Sequence, residues 1–324
     1  MTAKRTATFQ RNHNLEALLG RLNHAISEAR LPASEAPALP TLFILGTPRS
    51  GTTYCMQWLA ASGAFSYPSN LIARFWQAPA IGAMCQEMLA NPEYDFRGEF
   101  SDIGFHDPQQ RSDLGKTTGL LSPNEFWYFW RSSFPGDGDI GIDLTRAEDM
   151  QFQLFAEKLA AFAEVRGKPV ATKGMIVNHQ LAKFASAIPN ALFLHLDRDP
   201  VASAWSMLRA REKMHGDRQI WYSFRTPNYE ALRHLPPAQQ VMGQIDKIRR
   251  DLIAQLSELP QDRWVSLDYA QLCTEPDAAF DTIRSLFAAK GVALEGRNTL
   301  PSVAMSQPDI PKDVRAEFDA YLSR

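Results

Sequence analysis

The sequence lacks the features that mark several large classes of protein. Its three cysteines, Cys55, Cys85 and Cys273, form no CxxC pair, which argues against a disulfide framework or a structural zinc and fits a reducing compartment. The formal net charge is only −2, so the chain as a whole does not attract nucleic acid or an anionic membrane. No stretch approaches the roughly 18 apolar residues of a membrane span, and the first residues, MTAKRTATFQRNHN, lack the apolar core of a signal peptide. We therefore expect a cytoplasmic protein without metal or nucleic acid.

What is present is an ordinary globular composition, with 45% hydrophobic and 22% charged residues among 324. Residues 14–30 carry leucines at helical spacing, and Asn14 is the expected N-cap. The mixed charge of this helix favours packing on the main domain over contact with a membrane or a partner. A Pro- and Ala-rich linker, 32–40, follows. We divide the chain into residues 1–40 and a main domain, 41–324.

The segment LFILGTPRSGTTY, residues 42–54, predicts a strand, a glycine-containing loop and the start of a helix. Backbone N–H groups in such a loop converge on an anion, and the helix dipole favours negative charge there. In a nucleoside triphosphatase, a lysine would follow the second glycine and reach the β- and γ-phosphates. Here a threonine follows it, and an arginine inside the loop supplies the cation. The candidate anion-binding residues are Arg49, Ser50, Gly51, Thr52 and Thr53.

A second motif lies in NALFLHLDRDPVASAWSMLRAR, residues 190–211. It predicts a buried strand, a turn at Asp199-Pro200 and a helix, because proline is tolerated in a first helical turn. Arg198 stands at the carboxyl end of the strand and Ser206 lies eight residues later. An arginine and a helical serine in this arrangement are suited to hold one more phosphate.

The two motifs, GTPRSGTT and LHLDRDPVASAWS, resemble the signature regions of sulfotransferases that use 3′-phosphoadenosine-5′-phosphosulfate (PAPS). The resemblance implies that residues 49–53 hold the 5′-phosphosulfate and that Arg198 and Ser206 hold the 3′-phosphate. The segment RWVSLDYAQLCTEPDAAFDTIRSLF, residues 263–287, resembles a later region of the same enzymes and implies that Tyr269 lies near the adenine. PAPS has no γ-phosphate and needs no magnesium bridge, which accounts for the missing lysine.

The resemblance also implies the fold, an α/β domain whose central, mainly parallel sheet has helices on both faces, known as the P-loop-like sulfotransferase fold. Four apolar segments without alternation suit strands of such a covered sheet: Leu42–Leu45, Pro169–Thr172, Ala191–Leu196 and Trp264–Leu267. His195, inside the third segment, is expected to be a core histidine.

Sulfuryl transfer needs a cation against the developing charge and a base for the proton of the acceptor. Lys173 is the candidate cation, because it follows a predicted strand at the sheet edge where open α/β sheets place their ligands. The resembling family often has a lysine at this strand end. Arg49 supplies a second cation.

The base is where the chain departs from its relatives. Met175 stands where many cytosolic sulfotransferases have a histidine, and residues 65–76 lack the glutamate of others. Three candidates remain, ranked Glu125, His179 and His106. Glu125 lies in SPNEFWYFW, where aromatic neighbours would desolvate the carboxylate and favour its protonated form.

The acceptor is not named by any motif. An insertion at about 65–135 is dense in aromatic residues, which predicts either a pocket for a large apolar or glycan acceptor or a second small core. Asn70 and Arg74 are candidate acceptor contacts, and the aromatic patch 220–230 is a candidate cover for the cleft. We expect a hydroxyl or amine on a small-molecule, lipid or glycan acceptor. The oligomeric state is left open.

Two other functions are compatible with the predicted anion-binding loop. A P-loop nucleotide kinase or nucleotidase would require magnesium, whereas sulfuryl transfer does not. A non-catalytic nucleotide-binding protein would keep Arg198 and Ser206 but would not turn over PAPS with any alcohol, phenol, amine or glycan.

Overall fold

The computed structural model describes residues 5–6, 9–29, 37–94, 97–100, 112–133, 151–178, 181–295 and 308–323. The strands are β1 (Thr41–Leu45), β2 (Ser112–Asp113), β3 (Lys116–Thr117), β4 (Val170–Lys173), β5 (Ala191–Asp197) and β6 (Trp264–Asp268). The helices are α1 (His13–Ala25), α2 (Thr52–Ala61), α3 (Pro79–Ala90), α4 (Trp127–Ser133), α5 (Phe152–Arg166), α6 (Leu181–Ala187), α7 (Pro200–His215), α8 (Tyr229–Leu232), α9 (Pro237–Ser257), α10 (Tyr269–Thr274), α11 (Pro276–Ala288) and α12 (Lys312–Leu322). Among these residues, no helix is both long and apolar enough to cross a membrane.

The central sheet has the strand order β4-β1-β5-β6, and every pairing in it is parallel. The register places Ile44 beside Lys173 and Leu45 beside His195, so β1, β4 and β5 end at the same edge. All four strand predictions are confirmed to within one residue at each end. Parallel strands that end together bring the loops that follow them to one edge of the sheet.

Helices cover both faces of this sheet, as predicted. Alternate residues of β1 belong to different hydrophobic clusters, because successive side chains of a strand point to opposite faces. Phe43 and Leu45 pack with α4, α5, α6 and α9, whereas Leu42 and Ile44 pack with α2 and α11. All four side chains are fully buried, so β1 needs an apolar residue at every position and not only at alternate ones.

The N-terminal helix α1 packs on the main domain. The buried amide of Asn23 donates to the carbonyl oxygen of Arg74 and accepts from the backbone N–H of Gln77, at 2.9 and 3.0 Å. The prediction of Asn14 as the N-cap is wrong, because the side chain of Asn12 accepts from the N–H of Leu15 and begins the helix. The linker lies largely outside the described residues, and the division at residue 40 stays a prediction.

The aromatic insertion serves two purposes at once. Phe126, Phe129 and Trp130 are buried in the core against α5, and Phe126 stacks on Phe129 with ring centroids 4.3 Å apart. Trp127, Tyr128 and Trp130 also line a large cavity. The described part of the insertion therefore contributes to a pocket and to the main core around β1, not to a separate second core.

Candidate active site

A cavity of about 1180 Å³ opens at the carboxyl edge of the sheet. Residues that follow each of the four strands line it: Arg49, Gly51, Thr52 and Thr53 after β1, Lys173 at the end of β4, Arg198 after β5 and Tyr269 after β6. The sheet thus brings the separate sequence motifs to one place. Of the predicted site residues, only His106 and His179 lie outside the described residues.

The loop after β1 has the geometry of an anion site. Gly51 has φ +97° and ends the loop at the N-terminus of α2, where no side chain caps the helix. An added Cβ on Gly51 would lie 2.2 Å from Cε2 of Tyr269, so no other residue fits without moving that ring. The hydroxyl of Ser50 is buried and has no hydrogen-bond partner within the described part of the chain. An uncapped helix start leaves backbone N–H groups that can bind an anion.

Arg49 and Arg198 connect the two motifs. Nε of Arg49 donates to the hydroxyl of Ser206 at 3.1 Å, and Nη1 of Arg198 donates to the carbonyl oxygen of Arg49 at 2.9 Å. The Arg198 guanidinium also lies over the Tyr269 ring, 4.7 Å from its centroid. Residues 157 positions apart in sequence are thereby in direct contact. Ser206, Arg49, Arg198 and Tyr269 are thus linked by successive contacts.

The carboxylates near this edge are used within the fold. Asp199 caps α7 by accepting from the N–H groups of Val201 and Ala202. Asp268 caps α10. Asp197 forms a two-point ion pair with Arg249, at 3.0 and 2.9 Å, which holds the pKa of that carboxyl below its usual value.

Lys173 and Glu125 form the second part of the site. Nζ of Lys173 donates to the hydroxyl of Thr53 at 2.6 Å and to Oε1 of Glu125 at 2.7 Å. The Lys173 side chain is 6% exposed and that of Glu125 is 42% exposed. The expectation that aromatic residues desolvate Glu125 is therefore wrong, because Phe126 is buried in the core while the carboxylate faces the cavity and the Lys173 ammonium. The structure does bring the candidate base and the candidate cation into contact.

The hairpin of β2 and β3 closes on Glu125 from another direction. Its two-residue turn, Leu114 and Gly115, has φ values of +48° and +90°, the backbone signature of a type I′ turn. A Cβ on Gly115 would lie 2.6 Å from Oε1 of Glu125. Glycine at this position therefore allows the turn to approach the carboxylate.

Three other residues discussed from the sequence have different roles in the structure. Met175, in the place of the family's histidine, accepts a hydrogen bond from the hydroxyl of Thr52 through its sulfur at 3.4 Å. His195 is a core residue as expected, because Nδ1 contacts the Ser266 hydroxyl at 3.0 Å and burial lowers its pKa. Asn70 lines the cavity, but its amide N–H groups donate to Thr117 and Gly119, so it also anchors the hairpin.

Two further residues near the site were not predicted from the sequence. The hydroxyl of Tyr222 hydrogen-bonds with Arg49; burial raises the pKa of this hydroxyl, and the Arg49 charge acts in the opposite direction. Tyr222 belongs to the aromatic patch 220–230, which lines the cavity. The other is Asn178, fully buried, whose amide donates to the carbonyl oxygen of Gly46 at 2.9 Å. No spacing in the sequence links either residue to the loop it contacts.

Solved structures of other proteins are similar to this chain. Sulfotransferase STF9 from Mycobacterium avium matches at 15% identity with a TM-score of 0.56, covering 98% of this chain and 78% of its own. Sulfotransferase STF1 from Mycobacterium tuberculosis H37Rv matches at 12% identity with a TM-score of 0.48, covering 95% and 76%. A comparison with curated proteins found no match. The model of the sulfotransferase family matches residues 40–295, which is most of the chain, and the protein therefore belongs to the sulfotransferase family.

Proposed function

We propose that this sulfotransferase moves the sulfuryl group of PAPS to a hydroxyl or amine of a small-molecule acceptor. The observation that carries the proposal is the convergence of Arg49, Lys173 and Arg198 with the uncapped start of α2 at one end of a single cavity. Three cations and a helix N-terminus suit a ligand with several phosphate or sulfate groups. A cavity above the roughly 300–1,000 Å³ of single-ligand pockets leaves room for an acceptor as well.

The residues present fit the donor. The first-turn N–H groups of Thr52 and Thr53 would bind its 5′-phosphosulfate, with the buried Ser50 hydroxyl in the same loop. Arg198 would bind its 3′-phosphate together with Ser206, which accepts from Arg49. When bound, PAPS supplies an activated sulfuryl group, with the 3′,5′-bisphosphate as leaving group. Tyr269, whose ring lies beside Gly51 and under the Arg198 guanidinium, would contact the adenine.

Under this proposal, residues of the chain have distinct roles in sulfuryl transfer. Lys173 stabilises the charge that develops on the transferred group, since its nearly buried ammonium keeps a fixed position between Thr53 and Glu125. The half-exposed carboxylate of Glu125 accepts the acceptor's proton at its free oxygen. His179 and His106 remain alternative bases.

The nucleotidase alternative has less support. Magnesium in such enzymes is held by a carboxylate at a strand end, and the carboxylates of Asp197 and Asp268 at these strand ends pair with Arg249 or cap a helix. Transfer that proceeds in the presence of a magnesium chelator distinguishes the two functions. Turnover itself distinguishes an enzyme from a non-catalytic binding protein.

The test is the selectivity for the 3′-phosphate. Arg198→Ala should weaken the binding of adenosine 3′,5′-bisphosphate by about 1.5–3 kcal/mol, the usual value of a charge-assisted partner, and that of adenosine 5′-phosphosulfate far less. Titration calorimetry measures both. Arg209→Ala, an exposed arginine on the same helix, is the matched control and should change neither. Equal losses for both ligands would place Arg198 away from the 3′-phosphate.

A further inference from the structure

The backbone directly after Glu125 has an uncommon conformation. Phe126 has φ +56°, in the left-handed region that residues with a side chain rarely adopt. Such a conformation is strained and persists only where surrounding contacts hold it. Phe126 leads into α4, and Glu125 precedes it at the cavity, with Oε1 2.7 Å from Nζ of Lys173. The contacts that hold this turn therefore act one residue away from the candidate base.

Asn124 is the first of these contacts. Its Oδ1 accepts from the backbone N–H of Phe126 at 2.8 Å, which is the i to i+2 hydrogen bond of an Asx turn. The backbone N–H of Asn124 donates to the carbonyl oxygen of Pro68, also at 2.8 Å. Asn124 thus fixes the turn that follows Glu125 and is itself fixed to a separate segment of the chain.

The amide of Asn124 is paired with that of Asn70. Nδ2 of Asn124 donates to Oδ1 of Asn70 at 2.7 Å. Nδ2 of Asn70 donates in turn to the carbonyl oxygen of Gly119 at 2.7 Å and to the carbonyl oxygen and hydroxyl of Thr117 at 3.3 and 3.1 Å. The Phe126 N–H at one end can only donate, and the carbonyl oxygens at the other end can only accept. The orientation of both amides is therefore determined.

The pair also connects the two segments that meet at Glu125. Thr117 belongs to β3, and the turn of the same hairpin brings Gly115 so close that an added Cβ would lie 2.6 Å from Oε1 of Glu125. The Thr117 hydroxyl donates to the carbonyl oxygen of Pro123 at 2.7 Å, which ties the hairpin to the residues before Glu125. The position of the carboxylate relative to Lys173 thus depends on hydrogen bonds that do not include Glu125 itself.

We propose that Asn70 and Asn124 are positioning residues whose paired amides hold Glu125 in the orientation in which it takes the proton of the acceptor. Both residues line the cavity, but their amides are bound within the fold, so they act on the reaction through Glu125. The inference rests on the proposed function. It gives Asn70 a role different from the acceptor contact expected from the sequence.

The experiment measures kcat and KM with PAPS and two acceptors, an aliphatic alcohol and a nitrophenol. Asn70→Ala and Asn124→Ala should lower kcat for the alcohol by about 10- to 100-fold, because a base displaced by about 1 Å is poorly aligned. KM for PAPS should change by less than about twofold. The loss should be small for the nitrophenol, which ionises without a base.

Two further variants are matched to Asn124→Ala. Asn124→Ser should recover part of the kcat for the alcohol, since a serine hydroxyl accepts from the same N–H more weakly. Asn91→Ala is the control and should keep the full kcat. Oδ1 of Asn91 accepts from the N–H of Glu93 at 3.0 Å in the same i to i+2 pattern, but Asn91 lies outside the cavity lining.

The Glu125→Gln background separates positioning of the base from a general effect on the fold. There, the two alanine variants should cause no further loss of kcat, because the group that they position no longer accepts a proton. Equal losses in both backgrounds, equal losses with both acceptors, or a change in the acceptor KM alone would each overturn the inference and leave sulfuryl transfer intact. Full activity of Glu125→Gln with the alcohol would refute the base and this inference with it.

Calorimetry with adenosine 3′,5′-bisphosphate reports on folding and on the donor site without turnover. Both alanine variants should bind it as tightly as the unaltered protein. If one variant alone loses binding, the kcat of the other decides the question. Loss of binding in both would show that the pair supports the fold as a whole, which contradicts the inference. Failure of the unaltered protein to bind the bisphosphate would instead count against the proposed donor.

Discussion

Replacing Glu125 by glutamine tests the role of proton transfer while the shape of the site stays the same. Glutamine keeps the size of the side chain and a carbonyl oxygen that accepts from Lys173, whose Nζ is 2.7 Å from Oε1 of Glu125. It cannot take a proton from an acceptor. If Glu125 is the general base, kcat for an aliphatic alcohol should fall roughly 10²–10⁴-fold.

The variant should fold. Lys173 retains the Thr53 hydroxyl at 2.6 Å, and the lost carboxylate is 42% exposed, so its charge is screened by solvent. A fully buried pair would cost about 3–5 kcal/mol to break, and an exposed pair less than about 1 kcal/mol. We expect about 1 kcal/mol of destabilisation in chemical denaturation, which is too little to explain a large loss of rate.

The assay is kcat with PAPS and two acceptors, an aliphatic alcohol and a nitrophenol. The defect of Glu125→Gln should shrink for the nitrophenol, which ionises without help. Glu16→Gln removes another carboxylate from the same cavity and should keep kcat near the wild-type value. Equal losses for both acceptors would show that Glu125 acts by positioning Lys173, and in that case the loss should vanish in a Lys173→Met background. Full activity with both acceptors would move the role to His179 or His106.

Three further predictions use other parts of the fold. Gly51→Ala should abolish the binding of adenosine 3′,5′-bisphosphate in calorimetry, because the new Cβ would lie 2.2 Å from the Tyr269 ring. Gly20→Ala, with open space around the glycine, is the control and should keep the binding. Retained binding in Gly51→Ala would show that the loop is not rigid. Tyr222→Phe should lower kcat/KM by about 3- to 10-fold, the value of one hydrogen bond to Arg49, and an unchanged value would show that its hydroxyl is dispensable. The pKa of Asp197 is lowered in the folded state, mainly by its bond with Arg249, so this pair contributes stability above about pH 4 that is lost as the pH falls further. Asp197→Asn should therefore lower the free energy of unfolding by about 1 kcal/mol at pH 7 and by less at pH 3, and an equal loss at both would contradict the assignment.

Much of the fold could be read from local patterns. The unalternating apolar runs predicted β1, β4 and β5, because a sheet covered on both faces buries nearly every side chain of these strands. The run at β6 was also predicted correctly, although this edge strand is only partly buried. The loop and the helix after β1 could be predicted because glycines and hydroxyls lie next to each other in the chain. Asn12 was missed as the cap of α1, since several polar residues stand near that helix start and only backbone geometry selects one.

The anion-binding loop, the strand-end Lys173 and the Arg198 motif could be predicted from the chain alone, since each depends on residues within a few positions of one another. Which of these residues touch follows from the packing of the folded chain. Lys173 and Glu125 are 48 positions apart, and Arg49 and Ser206 are 157 apart. The residues that line the cavity likewise come from separate elements, among them α1, α4 and the β2–β3 hairpin. Such contacts arise from the packing of whole elements around a shared core, and packing has no period or spacing along the chain from which it could be predicted.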